Sequence, residues 1–139
     1  MFQKILLAAD GSAHSLRATE NTIHLVTKKE TGFVTVVYVV DGSTSKADVL
    51  HNKDSHDIAE KRKEKLKDIL SLLDNANIPH ELKILHGEPG ETIVEFANES
   101  EFDCLVIGSR GLNRLQSMVL GGVSHKVAKG AKCPVMIVK

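Results

Sequence analysis

The chain has no tryptophan and only one tyrosine, and aromatics make up 4% of its 139 residues. That is poor material for a surface that stacks nucleic-acid bases or sugars. Cysteine is equally scarce. Cys104 and Cys133 are the only two, and no CxxC is present, so nothing points to zinc or thioredoxin chemistry or to a secreted disulfide framework. Long apolar runs are missing too. Ile5-Leu6-Leu7-Ala8-Ala9 stops at Asp10, too short for a cleavable signal sequence and far too short to span a bilayer. We therefore expect a cytoplasmic protein with two free thiols and no membrane partner. A charge excess is absent as well: 18 basic residues balance 18 acidic ones. A polybasic nucleic-acid binder and an acidic disordered tail are both disfavoured, and no nucleic-acid partner is expected.

What is there is an ordinary globular composition, 42% hydrophobic and 26% charged, at a length that buries a core without staples. One domain over residues 1–139 is expected. The balanced charge is unevenly distributed. Residues 88–103 hold six acids (Glu88, Glu91, Glu95, Glu99, Glu101, Asp103) and no base. Residues 104–139 hold six bases (Arg110, Arg114, Lys126, Lys129, Lys132, Lys139) and no acid. A small anionic ligand in the last quarter is compatible with this pattern.

Hydrophobic periodicity predicts alternating strands and helices. Ile5–Ala9 and Phe33–Val40 read as strands buried on both faces. Residues 13–29 read as a helix capped by Ser12, with Leu16, Ile23 and Val26 inward. Asp41 to about Lys53 reads as the one long loop, and Asp54–Asn75 as a helix on Ile58, Leu66, Ile69, Leu70 and Leu73. The weaker alternation over Leu82–His86 suits an edge strand. Pro89 opens a helix with Ile93, Val94 and Ala97 inward. Cys104–Ile107 is a further buried strand, Val123–Lys129 a last helix with Gly130 at its C′ position, and Pro134–Val138 a last strand. The order β-α-β-α-β-α-β-α-β implies an α/β fold: a single doubly wound domain whose five-stranded parallel sheet carries helices on both faces. Ligands of such sheets bind beyond the carboxyl ends of the strands, where strand order reverses. That directs attention to the loops after the first two strands, Asp10-Gly11-Ser12 and Asp41-Gly42-Ser43, and to the segment after Gly108.

The latter runs Gly108-Ser-Arg110-Gly111, then Gly121-Gly122-Val123-Ser124 where the last helix begins. Glycines admit close backbone approach, and a helix start offers unpaired N–H groups and a dipole that favours an anion by about 0.3–1 kcal/mol. Ser124 adds a hydroxyl, and Arg110 lies in the same acid-free stretch. These are the components of a phosphate cradle.

The spacing glycine, two residues, glycine, nine residues, glycine resembles the nucleotide motif of the universal stress protein family. The resemblance extends to Lys4–Ser12, to Gly87-Glu88-Pro89, to Asp103–Gly108 and to Cys133–Val138, and so covers the whole chain. It implies strand order 3-2-1-4-5. It also implies an ATP site in which Asp10 lies by the nucleotide and helps hold Mg²⁺. Backbone near Val39 meets adenine, while Gly108, Gly111, Gly121 and Gly122 wrap ribose and phosphates, with a hydroxyl at Ser124. A homodimer through Val135–Val138 is implied as well. The chain departs from the pattern at Gly122, where ATP-binding members have Ser or Thr. Losing one hydrogen bond to a charged group is worth about 1.5–3 kcal/mol, roughly ten- to a hundred-fold in affinity.

The expected function is an ATP-binding, dimeric regulatory module of the stress response with at most weak ATPase activity. Two alternatives stand beside it: an interaction protein that has lost nucleotide binding, and a binder of another adenylyl ligand, such as a cyclic nucleotide, through the same loop. Other classes lack their signatures. No GxGxxG follows the first strand, neither a Walker A sequence nor a GxSxG elbow is present, and Gly87 stands where a phospho-receiver would need its reactive Asp. Nothing in the sequence assembles a nucleophile, a base and an orienting group.

Overall fold

A computed structural model of the protein describes residues 2–26, 31–40, 60–61, 63–109 and 122–139. Its frame is a parallel sheet of strands β1 (Lys4–Ala8), β2 (Phe33–Val40), β3 (His80–His86), β4 (Cys104–Gly108) and β5 (Val135–Val138). The five strands lie in the order β3-β2-β1-β4-β5, as the family resemblance implied. β3 is an edge strand, as its alternating pattern predicts. Among the described residues the helices with full bounds are α1 (Ala13–Leu25), α2 (Lys67–Asn75), α3 (Pro89–Glu99) and α4 (Gly122–Gly130).

Side chains alternate across a strand, so the continuous apolar runs of β1, β2 and β4 fill two cores at once. Ile5, Leu7, Val34, Val36 and Tyr38 pack with Leu66, Ile69 and Leu73 of the α2 region on one face. Leu6, Ala8, Val37, Leu105 and Ile107 pack with Ile93 and Ala97 of α3 and Val127 of α4 on the other. Among the described residues no helix is long and apolar enough to cross a membrane.

Helix α1 differs from the expectation in two ways. It ends at Leu25, with Val26 as C-cap. Its buried face is not the apolar stripe but Ser15, Ala18, Thr19 and Thr22. Leu16 and Ile23 pack only partly against the core. Small residues let the helix lie close to the sheet. The two threonine hydroxyls do not oppose burial, because Thr19 Oγ1 donates to the Ser15 carbonyl and Thr22 Oγ1 to the Ala18 carbonyl, both at 2.8 Å. The expected helix over Asp54–Asn75 is seen as helical residues 60–61 and 63–65 followed by α2; Ile58 and the loop Asp41–Lys53 lie outside the described residues. Both thiols are free, and burial pushes that of Cys104 above its usual range.

The turn into α3 is built from its sequence. Gly87 sits at φ 144°, and its N–H donates to the Val40 carbonyl. Glu88 is the N-cap, its carboxylate accepting the N–H groups of Gly90 (3.3 Å) and Glu91 (2.8 Å). Lys126 of α4 adds an ion pair at 3.4 Å, so the cap also ties α3 to α4. The Glu91 N–H, then the Gly90 N–H and the Lys126 charge, outweigh partial desolvation and hold the Glu88 carboxyl below its ordinary range. A carboxyl depressed by folding stabilises the protein above its unfolded pKa and loses that contribution as pH falls through its folded one. Glu88→Ala is therefore expected to cost about 0.5–2 kcal/mol at pH ~7, the usual worth of a helix N-cap. The difference from the parent should shrink at pH values below the carboxylate range. Urea unfolding of both proteins at neutral and acid pH measures it, and a gap independent of pH would exclude the cap as its source.

Candidate functional site

At the carboxyl ends of the strands, β1 and β4 lie side by side while the chain leaves them toward opposite faces, which is the reversal point of the sheet. β1 ends in a closed polar turn. Asp10 Oδ1 accepts the Ser12 N–H (2.9 Å) and the Ser15 hydroxyl (2.7 Å). Ser15 Oγ accepts the Asp10 N–H at 2.9 Å. Ser12 caps α1 by accepting the Ser15 N–H at 3.2 Å. Gly11 is dictated twice over. It sits at φ +83°, and a Cβ there would stand 2.9 Å from the Lys65 carbonyl oxygen.

The end of β4 is a junction of four contacts. A Cβ on Gly108 would stand 2.6 Å from His14 Cβ, so only glycine lets α1 approach this closely. The Gly108 carbonyl accepts the Ser124 hydroxyl at 2.6 Å, which draws the first turn of α4 to the same point. The next residue, Ser109, donates its N–H to the Val138 carbonyl at 2.7 Å. Its Oγ lies 3.3 Å from His14 Nδ1. Ser109 and Ser124 are buried, and among the described residues no buried side-chain polar atom lacks a partner.

Of the residues singled out in the sequence, Asp10, Gly11, Ser12, Val39, Gly108, Gly122, Val123 and Ser124 are described, whereas Arg110, Gly111 and Gly121 lie outside the described residues. Asp10, Ser12, Gly108 and Ser124 all stand at the β1 and β4 ends. Val39 is half-buried near the end of β2, beside β1. Gly122 opens α4, and among the described residues nothing lies within 4 Å of where a Cβ would be; Val123 packs half-buried on the α3/α4 core.

Two expectations change. Ser124 was read as a hydroxyl donor for a phosphate, but its proton goes to the Gly108 carbonyl. The six-base stretch is not one surface. Lys126 pairs with Glu88, and Lys129 sits in the last turn of α4. Lys132 follows that turn, its N–H bonded to Asn98 near the end of α3. Since α4 starts at the carboxyl edge of the sheet and runs back to the start of β5, Lys129 and Lys132 lie at the opposite end. Linear charge counting cannot see this, because a helix of nine residues spans the depth of the sheet. Sequence reasoning assigned no role to Ser15 or His14, and placed Ser109 only within the segment that follows Gly108. Ser15 was discoverable as a hydroxyl one turn beyond a cap. The His14–Ser109 contact joins residues 95 positions apart and leaves no local trace.

A family model described as the universal stress protein family matches residues 1–139. The chain is 35% identical to the universal stress protein YxiE of Bacillus subtilis, with all of both chains covered. Among solved structures it is similar to protein MJ0577 of Methanocaldococcus jannaschii, with a TM-score of 0.85 at 29% identity over 100% of this chain and 96% of that one. It shares its fold with a universal stress protein crystallised in complex with cAMP, with a TM-score of 0.73 at 22% identity over 99% and 97% of the two chains. With the full-length match, the predicted strand order and the glycine-bounded end of β4 in agreement, the chain belongs to the universal stress protein family.

Proposed function

We propose that this chain binds an adenine nucleotide, ATP with Mg²⁺, at the carboxyl edge of its sheet and acts as a homodimeric regulatory module of the stress response. The carrying observation is the meeting, at the reversal point, of the Asp10 turn, the Gly108 end of β4 and the open first turn of α4. Gly11 and Ser12 line the site beside Asp10, and the backbone at Val39 takes the adenine. Gly108, Arg110, Gly111, Gly121, Gly122 and Val123 surround ribose and phosphates, and Ser124, its hydroxyl held by the Gly108 carbonyl, ties the first turn of α4 to them. The helix start at Gly122 suits an anion, since Gly122 is exposed and, among the described residues, no side chain stands in front of it. Asp10 suits a share of a hard cation, its carboxylate already oriented by the two donors on Oδ1. Hydrolysis is slow or absent in this reading. The setting is the cytoplasm, in keeping with two unpaired thiols.

A relative of the same fold in complex with cAMP supports an adenylyl ligand, and it also favours the second reading, a cyclic nucleotide in the same loop. Calorimetry against Mg-ATP, followed by competition with cAMP, separates the two. Saturable heat with Mg-ATP is expected, and none at millimolar nucleotide would overturn the proposal. Gly122→Ser meets no atom of the described residues within 4 Å of its Cβ and restores a hydroxyl at the helix start. It should tighten ATP roughly ten- to a hundred-fold, the worth of a hydrogen bond to a charged group. Unchanged affinity would remove Gly122 from the phosphate site.

The dimer rests on β5. All four residues of this edge strand are apolar and only half-buried within one chain. The Pro134 and Val138 carbonyls accept from β4, so the backbone polar groups of Val135 and Ile137 face the open edge. Such an edge is a template for pairing with a second copy. Ile137→Pro, which deletes an outward N–H, should convert a sedimenting dimer into a monomer that still unfolds cooperatively. A dimer that persists at micromolar concentration would place the interface elsewhere.

A further inference from the structure

The glycine at the end of β4 and the histidine at the start of α1 are matched parts. His14 Cβ occupies the space that a side chain on residue 108 would need. The His14 backbone carbon and oxygen lie 3.1 and 3.2 Å from that same point. The contact is thus between the first turn of a helix and the last residue of a strand, with no slack on either side. Beyond it the imidazole reaches past Gly108 to the next residue, where Nδ1 meets Ser109 Oγ at 3.3 Å. Whichever of the two carries the proton, this pair can bond. Ser109 is also held by its N–H on the Val138 carbonyl. His14 is fixed in turn by the Asp10–Ser12–Ser15 turn from which its helix starts. Ser109 is therefore held from the β1 side of the site.

We propose that His14 is a positioning residue of the nucleotide site: its Nδ1 clasps the Ser109 hydroxyl and so locks the end of β4 to the turn that carries Asp10. This goes beyond the reading above by naming what holds the two halves of the site in register, and it rests on that reading. His14 itself need not touch the ligand. A ligand that bridges the Asp10 turn and the β4 end benefits because both are ordered before it arrives.

The choice of substitution separates a clasp from simple packing. Asparagine carries a polar atom one bond beyond Cγ, where Nδ1 stands, and glutamine carries it one bond farther out. His14→Ala should speed hydrogen exchange of the Ser109 amide in the nucleotide-free protein and weaken Mg-ATP about five- to tenfold, the worth of one hydrogen bond. His14→Asn should restore both readouts toward the parent, and His14→Gln should restore neither. Asparagine and glutamine behaving alike, or alanine leaving Ser109 exchange unchanged, would overturn the clasp. Parent protein that binds Mg-ATP while His14→Ala binds it equally well would overturn the role of His14 alone. Parent protein that gives no heat with Mg-ATP would overturn the nucleotide reading, and the exchange at Ser109 would still decide whether the clasp exists.

Discussion

Everything at the carboxyl edge of the sheet depends on how closely α1 lies against the end of β4. The distance from His14 Cβ to the empty side-chain position of Gly108 is 2.6 Å, less than a methyl group requires. Close approach brings the polar turn after β1 beside the last residue of β4. It lets the imidazole reach Ser109, and it leaves the Gly108 carbonyl to draw in Ser124 at the start of α4. A side chain at position 108 would push the helix outward and separate all of these at once. The glycine is therefore a packing residue first, and its freedom of approach to a ligand follows from the same missing atom.

The rest of α1 is adapted to this closeness. A helix lined with leucines on its buried face would stand farther from the sheet. Ser15, Ala18, Thr19 and Thr22 are small, and the two threonine hydroxyls return to carbonyls of their own helix. Burying those hydroxyls unpaired would cost on the order of 1–3 kcal/mol each. On the other face the usual arrangement holds, with Ile93, Ala97 and Val127 supplying apolar contact and Glu88 with Lys126 joining the two helices at the surface. Helix α1 is thus specified by small size and internal hydrogen bonds, and α3 and α4 by apolar area.

Both of these features bear on what could be read in advance. The strands were legible because Ile5–Ala8, Phe33–Val40 and Cys104–Ile107 are apolar on both faces, a pattern that only a covered parallel sheet satisfies. The α3 turn was legible because Pro89 and the inward positions Ile93 and Ala97 act locally. The buried face of α1 was not. Apolar periodicity selects Leu16 and Ile23, whereas close packing selects Ser15, Ala18, Thr19 and Thr22. In the candidate site, Asp10, Ser12 and Gly108 could be named from their places at strand ends. Ser15 acts within its own turn, whereas the His14–Ser109 contact and the hydrogen bond from Ser124 to the Gly108 carbonyl join distant parts of the chain and are tertiary facts.

The balanced charge shows the same division. Sequence alone determined that the chain alternates strands and helices, with a glycine-bounded segment after its fourth strand and an apolar last strand. Those are statements about periodicity and spacing, and periodicity and spacing are local. Only the tertiary structure decided where the charges go. Lys126 is neutralised by Glu88, while Lys129 and Lys132 are carried to the far end of the sheet by the length of α4. It also decided which glycine is required by packing: Gly108 faces His14, whereas Gly122 faces nothing among the described residues. A residue's neighbours in space are set by the crossing of helix on strand, which no linear count contains.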